Sequence, residues 1–197
     1  LQAPLLLQIL REKERKVTEN SLNLALIYGS ARAGRFCDRV AEWTAAQVAK
    51  AGNFSITIID PAVDDGPDTV RRRVAEANAF VVVTPEYNHG YPAPLKSLID
   101  SVGAEWHAKP VAFVSYGGAS GGLRAVEQLR LVFAELHAVT MRDAVSFASA
   151  WEQFDGCGTL REPDRAERSM TTMLNRLRWW AVALRNARQE TPYLRTA

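Results

Sequence analysis

The sequence F-V-V-V-T-P-E-Y-N-H-G-Y-P-A-P-L-K-S-L-I-D, from Phe80 to Asp100, decides how the rest of the chain is read. Phe80 to Val83 is short, apolar and rich in β-branched residues, which predicts a buried strand. That pattern breaks at Thr84-Pro85. Asn88 and Gly90 then suit a turn-rich loop, and Pro92 and Pro94 suit the first turn of a helix whose apolar side is Leu95, Leu98 and Ile99. A strand ending in a polar loop that feeds a helix is the unit of an open parallel sheet, which binds ligands beyond the carboxyl ends of its strands.

The same unit recurs on either side. Leu22 to Tyr28 predicts a strand that stops at Gly29, and Val40, Trp43, Val48 and Ala51 predict a helix stopped by Gly52. Phe54 to Ile59 predicts a strand ended by Asp60-Pro61, after which Asp68 suits the cap of a helix reaching about Asn78. Pro110 to Ser115 predicts a fourth strand and runs into a segment with four glycines, Tyr116 to Gly122. Leu129, Val132, Phe133 and Leu136 mark the next helix, and Val139 to Phe147 a fifth strand. Residues 148–163 read as a long connection, and Met170, Met173, Leu174, Leu177 and Leu184 as a final long helix. Five β-α units predict an α/β three-layer sandwich: a five-stranded parallel sheet with the flavodoxin-like strand order 2-1-3-4-5.

At 197 residues the chain is long enough for one well-buried core. The expected division is an amino-terminal extension over 1–20, one domain over 21–190 and a tail over 191–197. Hydrophobic residues make up 47% and charged residues 23%, ordinary values that point to neither membrane nor disorder. A formal net charge of +2 arises from interspersed signs. The basic run Arg71-Arg72-Arg73 is flanked by Asp64, Asp65, Asp68 and Glu76, so a solvated helix face is expected and no nucleic-acid partner. Cys37 and Cys157 lack metal-site or disulfide spacing, and a reducing cytoplasm is the expected compartment.

The first strand leads into G-S-A-R-A-G-R-F, Gly29 to Phe36: a glycine, a hydroxyl, two guanidinium groups and then a helix start, whose free N–H groups favour anions. Gly29 and Gly34 have the spacing of a nucleotide P-loop, but Arg35-Phe36 stands where that motif carries Lys-Ser/Thr, which argues against a nucleotide triphosphatase. The dinucleotide pattern G-x-G-x-x-G is absent as well. A phosphate monoester suits what remains.

Taken in order and spacing, G-S-A-R-A-G-R-F, T-P-E-Y-N-H-G-Y-P-A-P-L-K and S-Y-G-G-A-S-G-G-L-R-A resemble the loops of the NADPH-dependent FMN reductase family of flavodoxin-like flavoproteins. The resemblance covers roughly Leu24 to Phe147. It implies bound FMN, reduction by NADPH or NADH, and a homodimer or homotetramer whose neighbouring subunits help wall the flavin. It further implies that Ser30, Arg32 and Arg35 hold the FMN phosphate, with backbone N–H groups near Phe36 and Cys37. Several members carry Ser and Asn where Arg35 and Cys37 stand. By the same resemblance Pro85, Glu86, Tyr87 and Asn88 line the flavin ring, Glu86 mainly through its backbone. Gly117, Gly118, Ser120, Gly121 and Gly122 approach the pyrimidine end, and His89 flanks the ring or a neighbouring subunit.

The residue types suit that chemistry. Reduced flavin carries negative charge near N1 and O2, which fixed N–H dipoles of a glycine-rich loop stabilise without reorganising. The cofactor supplies the redox reactivity, so no catalytic side chain and no metal are expected. The expected function is therefore an FMN-dependent NAD(P)H oxidoreductase of the flavin or quinone reductase type. The acceptor class stays open among free flavin, quinones, azo compounds and metal oxyanions. The alternative is a flavodoxin-type carrier or flavin-binding module without NAD(P)H turnover, although such carriers are commonly very acidic. His107 and His137 read as ordinary structural histidines. Trp179 and Trp180 point about a hundred degrees apart on a helix, so at least one is expected to meet another element or subunit.

Overall fold

A computed structural model describes residues 22–63 and 66–193. The expected extension over 1–20, Asp64, Asp65 and residues 194–197 lie outside the described residues. The strands are β1 (Leu22–Tyr28), β2 (Phe54–Ile59), β3 (Ala79–Pro85), β4 (Pro110–Gly117) and β5 (Val139–Ala148). The helices are α1 (Cys37–Ala51), α2 (Pro67–Glu76), α3 (Ala93–Asp100), α4 (Leu123–Glu135), α5 (Ala150–Gln153) and α6 (Pro163–Glu190), with a 3-10 turn at Ala104–Trp106. All strand pairs are parallel, in the order β2-β1-β3-β4-β5. This is the expected flavodoxin-like sheet.

Strand sequence follows position in the sheet. Every residue of β3 and β4 is buried, because helices cover both faces and strands flank both sides. The edge strands β2 and β5 mix buried and exposed positions. Alternation along the strands builds two cores. Leu24, Leu26, Val81, Val83 and Val114 face α1 and α6, whereas Ala25, Ile27, Phe80, Val82 and Phe113 face α2, α3 and α4. The seam of α6, Met170, Met173, Leu174, Leu177 and Ala181, repeats at helical spacing against the first core.

Two local expectations change. Pro67 opens α2 and Gly66 is its cap residue, so Asp68 lies one position inside the helix with its side chain almost fully exposed. A proline already pre-set for the first helical position fixes that boundary. The connection after β5 contains α5, a single turn too short to carry a period. Among the described residues no helix is long and apolar enough to cross a membrane.

Candidate functional site

Three loops leave the carboxyl ends of β1, β3 and β4 and meet. The first begins where β1 and β3 touch most closely. The Gly29 amide donates to the Val83 carbonyl at 2.7 Å, and a Cβ on Gly29 would stand 2.7 Å from that oxygen and 2.9 Å from Thr84 Cα. Only glycine lets the backbones approach this far. Ser30 follows, fully buried, its hydroxyl 2.8 Å from that of Tyr87. Arg32 is exposed, and its guanidinium carbon lies 3.6 Å from the centroid of the Tyr87 ring. The two residues therefore fasten the first loop to the second.

Arg35 turns the other way. It donates to Asp38 at 2.7 Å, forms a two-pronged pair with Asp60 at the end of β2, and donates to the backbone carbonyl of Ser30. Its side chain is 9% exposed. Burial pushes the Asp60 carboxyl up, but the bonds from Arg35 and the Ala62 amide outweigh it and hold the group below the usual range. Asp60 in turn raises Arg35. This guanidinium braces the loop from beneath.

Helix α1 starts at Cys37, with Phe36 as its cap residue and no side-chain cap on its first N–H groups. The Phe36 ring packs against Tyr116 and Phe154. The Cys37 thiol points inward, 3.7 Å from the Val83 carbonyl, and burial pushes its pKa up. Cys37 is fully buried and Phe36 half-buried, so what this segment adds to the site is the main chain of an uncapped helix start, a place that favours an anion.

The second loop is a tight turn. Tyr87 and Gly90 exchange amide-to-carbonyl bonds of 2.9 and 3.1 Å, and between them Asn88 and His89 both take positive φ, 49° and 74°. Two successive left-handed residues are costly without glycine. Gln128 of α4 supports the turn by donating to the His89 carbonyl at 3.0 Å. Pro85 ends β3 and is buried, while Asn88 and His89 form the exposed tip.

The third loop is bound to the second by one carboxylate. Glu86 accepts from Ser120 Oγ at 2.8 Å, from the Arg124 amide at 3.2 Å and from Arg124 Nε at 2.5 Å. Its side chain is 5% exposed. Burial pushes the carboxyl up, but the bonds from Arg124 and Ser120 prevail and hold it below the ordinary glutamate range. The glycines then permit a fold-back that other residues would block. The Gly121 carbonyl accepts from Ser115 Oγ at 2.8 Å and Ser146 Oγ at 2.9 Å, and a Cβ on Gly121 would overlap Ser146 Oγ. Gly118 borders the exposed Trp151, and Gly117 and Gly122 lie back to back.

Every residue singled out in the three loops thus lies at one end of the sheet, in two different settings. Ser30 and Arg32 meet Tyr87, and Glu86 meets the glycine loop at Ser120, whereas the Arg35 side chain and the Cys37 thiol point away into ion pairs or core. Sequence reasoning missed Arg124, Asp60 and Gln128. The signal for Arg124 was present: Glu86 is the single carboxylate between Thr84 and Pro92, and Arg124 is the first cation after the glycines. The arrangement suits a phosphate monoester with a flat, polar-edged ring. The uncapped start of α1, Ser30 and Arg32 favour the anion, and the glycine main chain gives close N–H approach to a ring edge.

Comparison with known proteins places the chain in a family. An NAD(P)H-dependent FMN reductase of Schizosaccharomyces pombe is 35% identical over 133 residues, covering 57% of this chain and 65% of that protein's length. A quinone reductase of Pseudomonas putida is 29% identical, covering 73% of this chain and 87% of its own. Among solved structures, the flavoenzyme NAD(P)H:(acceptor) oxidoreductase FerB of Paracoccus denitrificans superposes with a TM-score of 0.63 at 21% identity, over 82% of this chain and 98% of that one. The latter likeness concerns the fold. The family model for NADPH-dependent FMN reductase matches residues 22–152, more than half of the sequence, and the chain belongs to that family.

Proposed function

We propose that this chain is an FMN-dependent NAD(P)H oxidoreductase of the flavin or quinone reductase type, carrying two electrons from NADPH or NADH to a small acceptor. The observation that carries the reading is the joining of all three loops, by Ser30 and Arg32 to Tyr87 and by Glu86 to Ser120 and Arg124. A flavin bound there would supply the hydride and electron chemistry.

The protein's own part is binding and orientation. Ser30, Arg32 and the N–H groups at Phe36 and Cys37 hold the phosphate. Arg35 serves it indirectly, since its bond to the Ser30 carbonyl sets the loop on which Ser30 and Arg32 stand. Pro85, Glu86, Tyr87 and Asn88 form one wall, Glu86 through the two partners its carboxylate fixes. Gly117, Gly118, Ser120, Gly121 and Gly122 bring main chain to the ring edge where negative charge accumulates; the Gly121 and Gly122 N–H groups brace the loop on the Gly118 carbonyl and Ser120 Oγ, and those of Gly118 and Ser120 serve as the preorganised dipoles.

Relatives named quinone reductases support a quinone-sized acceptor, with free flavin, azo compounds and metal oxyanions as the other classes to assay. A homodimer or homotetramer in the cytoplasm, built on one domain, completes the proposal. Trp151, 60% exposed beside Gly118, suits a subunit contact next to the loops. Anaerobic titration tests the activity. The FMN-loaded protein is expected to bleach with NADPH or NADH and recover its colour with a quinone. Retained flavin that neither donor bleaches would refute the reductase and leave a carrier.

A further inference from the structure

A second cluster of charge lies at the opposite end of the sheet. Lys109, just before β4, is 6% exposed. Its ammonium donates to the carbonyls of Val74 and Ala75 at 2.7 and 2.8 Å, closing the last turn of α2. Among the described residues no acceptor takes its third proton, and the Phe80 ring centroid is 5.9 Å away. Arg188, near the end of α6, reaches the same place and donates to the Ala108 carbonyl. The His107 ring packs at a tilt of 52° against His137, 4.9 Å between ring centroids, and its Nδ1 is buried without a hydrogen-bond partner among the described residues. Tyr193 closes the far side, its hydroxyl 3.2 Å from His137 Nδ1.

These groups surround a shallow surface pocket of about 270 Å³. One carboxylate, Glu105, lines it, and Arg71 of α2 stands 3.6 Å from that carboxylate. The cations work against each other. Lys109 is held down to about 8, first by burial and then by Arg188; Arg188 is depressed by burial and Arg185; His107 is depressed by burial and His137; Glu105 offsets only part of the shift on Lys109 and His107. Arg185 itself has a buried Nε without a partner. Groups that each disfavour their neighbour's charge would all be relieved by one anion among them.

We propose that this pocket binds a small oxyanion, a phosphate or carboxylate group, held by Lys109, Arg188 and the His107 ring and separate from the loops at the other end of the sheet. The third proton of Lys109, the remaining guanidinium N–H groups and Nδ1 of His107 are its donors. Such a ligand ties α2, which covers one face of the sheet, to α6, which covers the other. Binding therefore stabilises the molecule as a whole.

The protein has three histidines, and His89 at the loop end serves as an internal control. FMN-loaded protein is titrated with inorganic phosphate and, separately, with malonate, against chloride at matched ionic strength, while the imidazole C–H resonances are followed by NMR. The His107 signal, assigned with His107→Gln, is expected to move saturably and its titration midpoint to rise, with His89 unmoved. The melting temperature is expected to rise by roughly 5–10 °C at a hundredfold excess over the dissociation constant. The anion that saturates at lower concentration identifies phosphate or carboxylate as the preferred class. Both responses vanish in Lys109→Met, with Arg188→Gln as the second variant should the first not fold. A His107 signal indifferent to both anions, or an unchanged response in the variants, overturns the proposal. Because the readout is local to His107, loss of flavin binding at the loops cannot imitate it.

Discussion

Arg32 and Arg35 are three residues apart, yet their side chains do different work. Arg32 lies over Tyr87 in the open, whereas Arg35 is clamped by Asp60 and Asp38 beneath the loop. If Arg32 holds the phosphate as proposed, replacing it by alanine removes one charge-assisted bond, worth about 1.5–3 kcal/mol. FMN affinity is then expected to fall roughly tenfold or more while riboflavin affinity holds, read by equilibrium dialysis of the two flavins side by side. Arg35→Gln should weaken both flavins alike and also destabilise the fold by about 2 kcal/mol, because Asp60 loses its partner at a mostly buried position. Equal FMN selectivity in the two variants would erase the distinction. Glu86 adds a pH signature. Its folded pKa lies below the unfolded value, so its contribution is present above about pH 4.3 and disappears as pH falls through the folded value. Glu86→Gln should cost about 1–2 kcal/mol at neutral pH, since Arg124 is half exposed and its pair is screened, and should flatten the acid-side fall of stability read by urea unfolding.

At the scale of elements, the close approach of β1 to β3 sets where the loops begin. Gly29→Ala forces a Cβ against the Val83 carbonyl and Thr84 Cα, both backbone, so the strands must part at the site. A loss of at least about 2 kcal/mol is expected, together with weakened flavin retention. Gly34→Ala meets open space and carries only the cost of its left-handed φ of 61°, about 1–2 kcal/mol, with flavin retained. Urea midpoints with flavin fluorescence separate the two. The same elements explain what is legible in the sequence alone. The limits of β1 and β2 were legible because apolar runs end at residues that cannot continue them, Gly29 after one and Asp60-Pro61 after the other. The final helix was legible from the period of Met170, Met173, Leu174 and Leu177. The cap of α2 was not, since Pro67 pre-empts Asp68, nor was α5, whose single turn has no period. In the site, residue types were readable but partners were not. Glu86 meets Ser120 and Arg124 across 34 and 38 positions of sequence, and only the adjacency of β3 and β4 brings them together.

At the scale of the whole molecule, the described residues gather charged groups at both ends of one sheet, and global stability is where the far end shows itself. Lys109 drops from an ordinary value of 10.5 to about 8 because burial disfavours its charge. Between those values the unfolded chain binds the proton that the folded chain has released, so stability must rise with pH across that window. One group can contribute a slope of at most about 1.4 kcal/mol per pH unit, or about 3 kcal/mol over the whole interval. Tyr28 and Tyr116, both raised first by burial, oppose this at the alkaline end, because folding disfavours their ionised forms. Lys109→Met leaves both tyrosines in place, so the difference between the two proteins isolates the lysine. Urea unfolding from pH 7 to 10.5 is expected to show that difference growing in favour of the native chain between about pH 8 and 10.5. A difference that stays flat there would mean that the carbonyls of Val74 and Ala75 keep Lys109 charged despite its burial. An oxyanion bound beside the lysine acts in the opposite sense. It favours the ammonium form, raises the folded pKa and moves the rise in stability to higher pH. Repeating the series with saturating phosphate should therefore displace the window upward in the native protein and leave Lys109→Met unchanged.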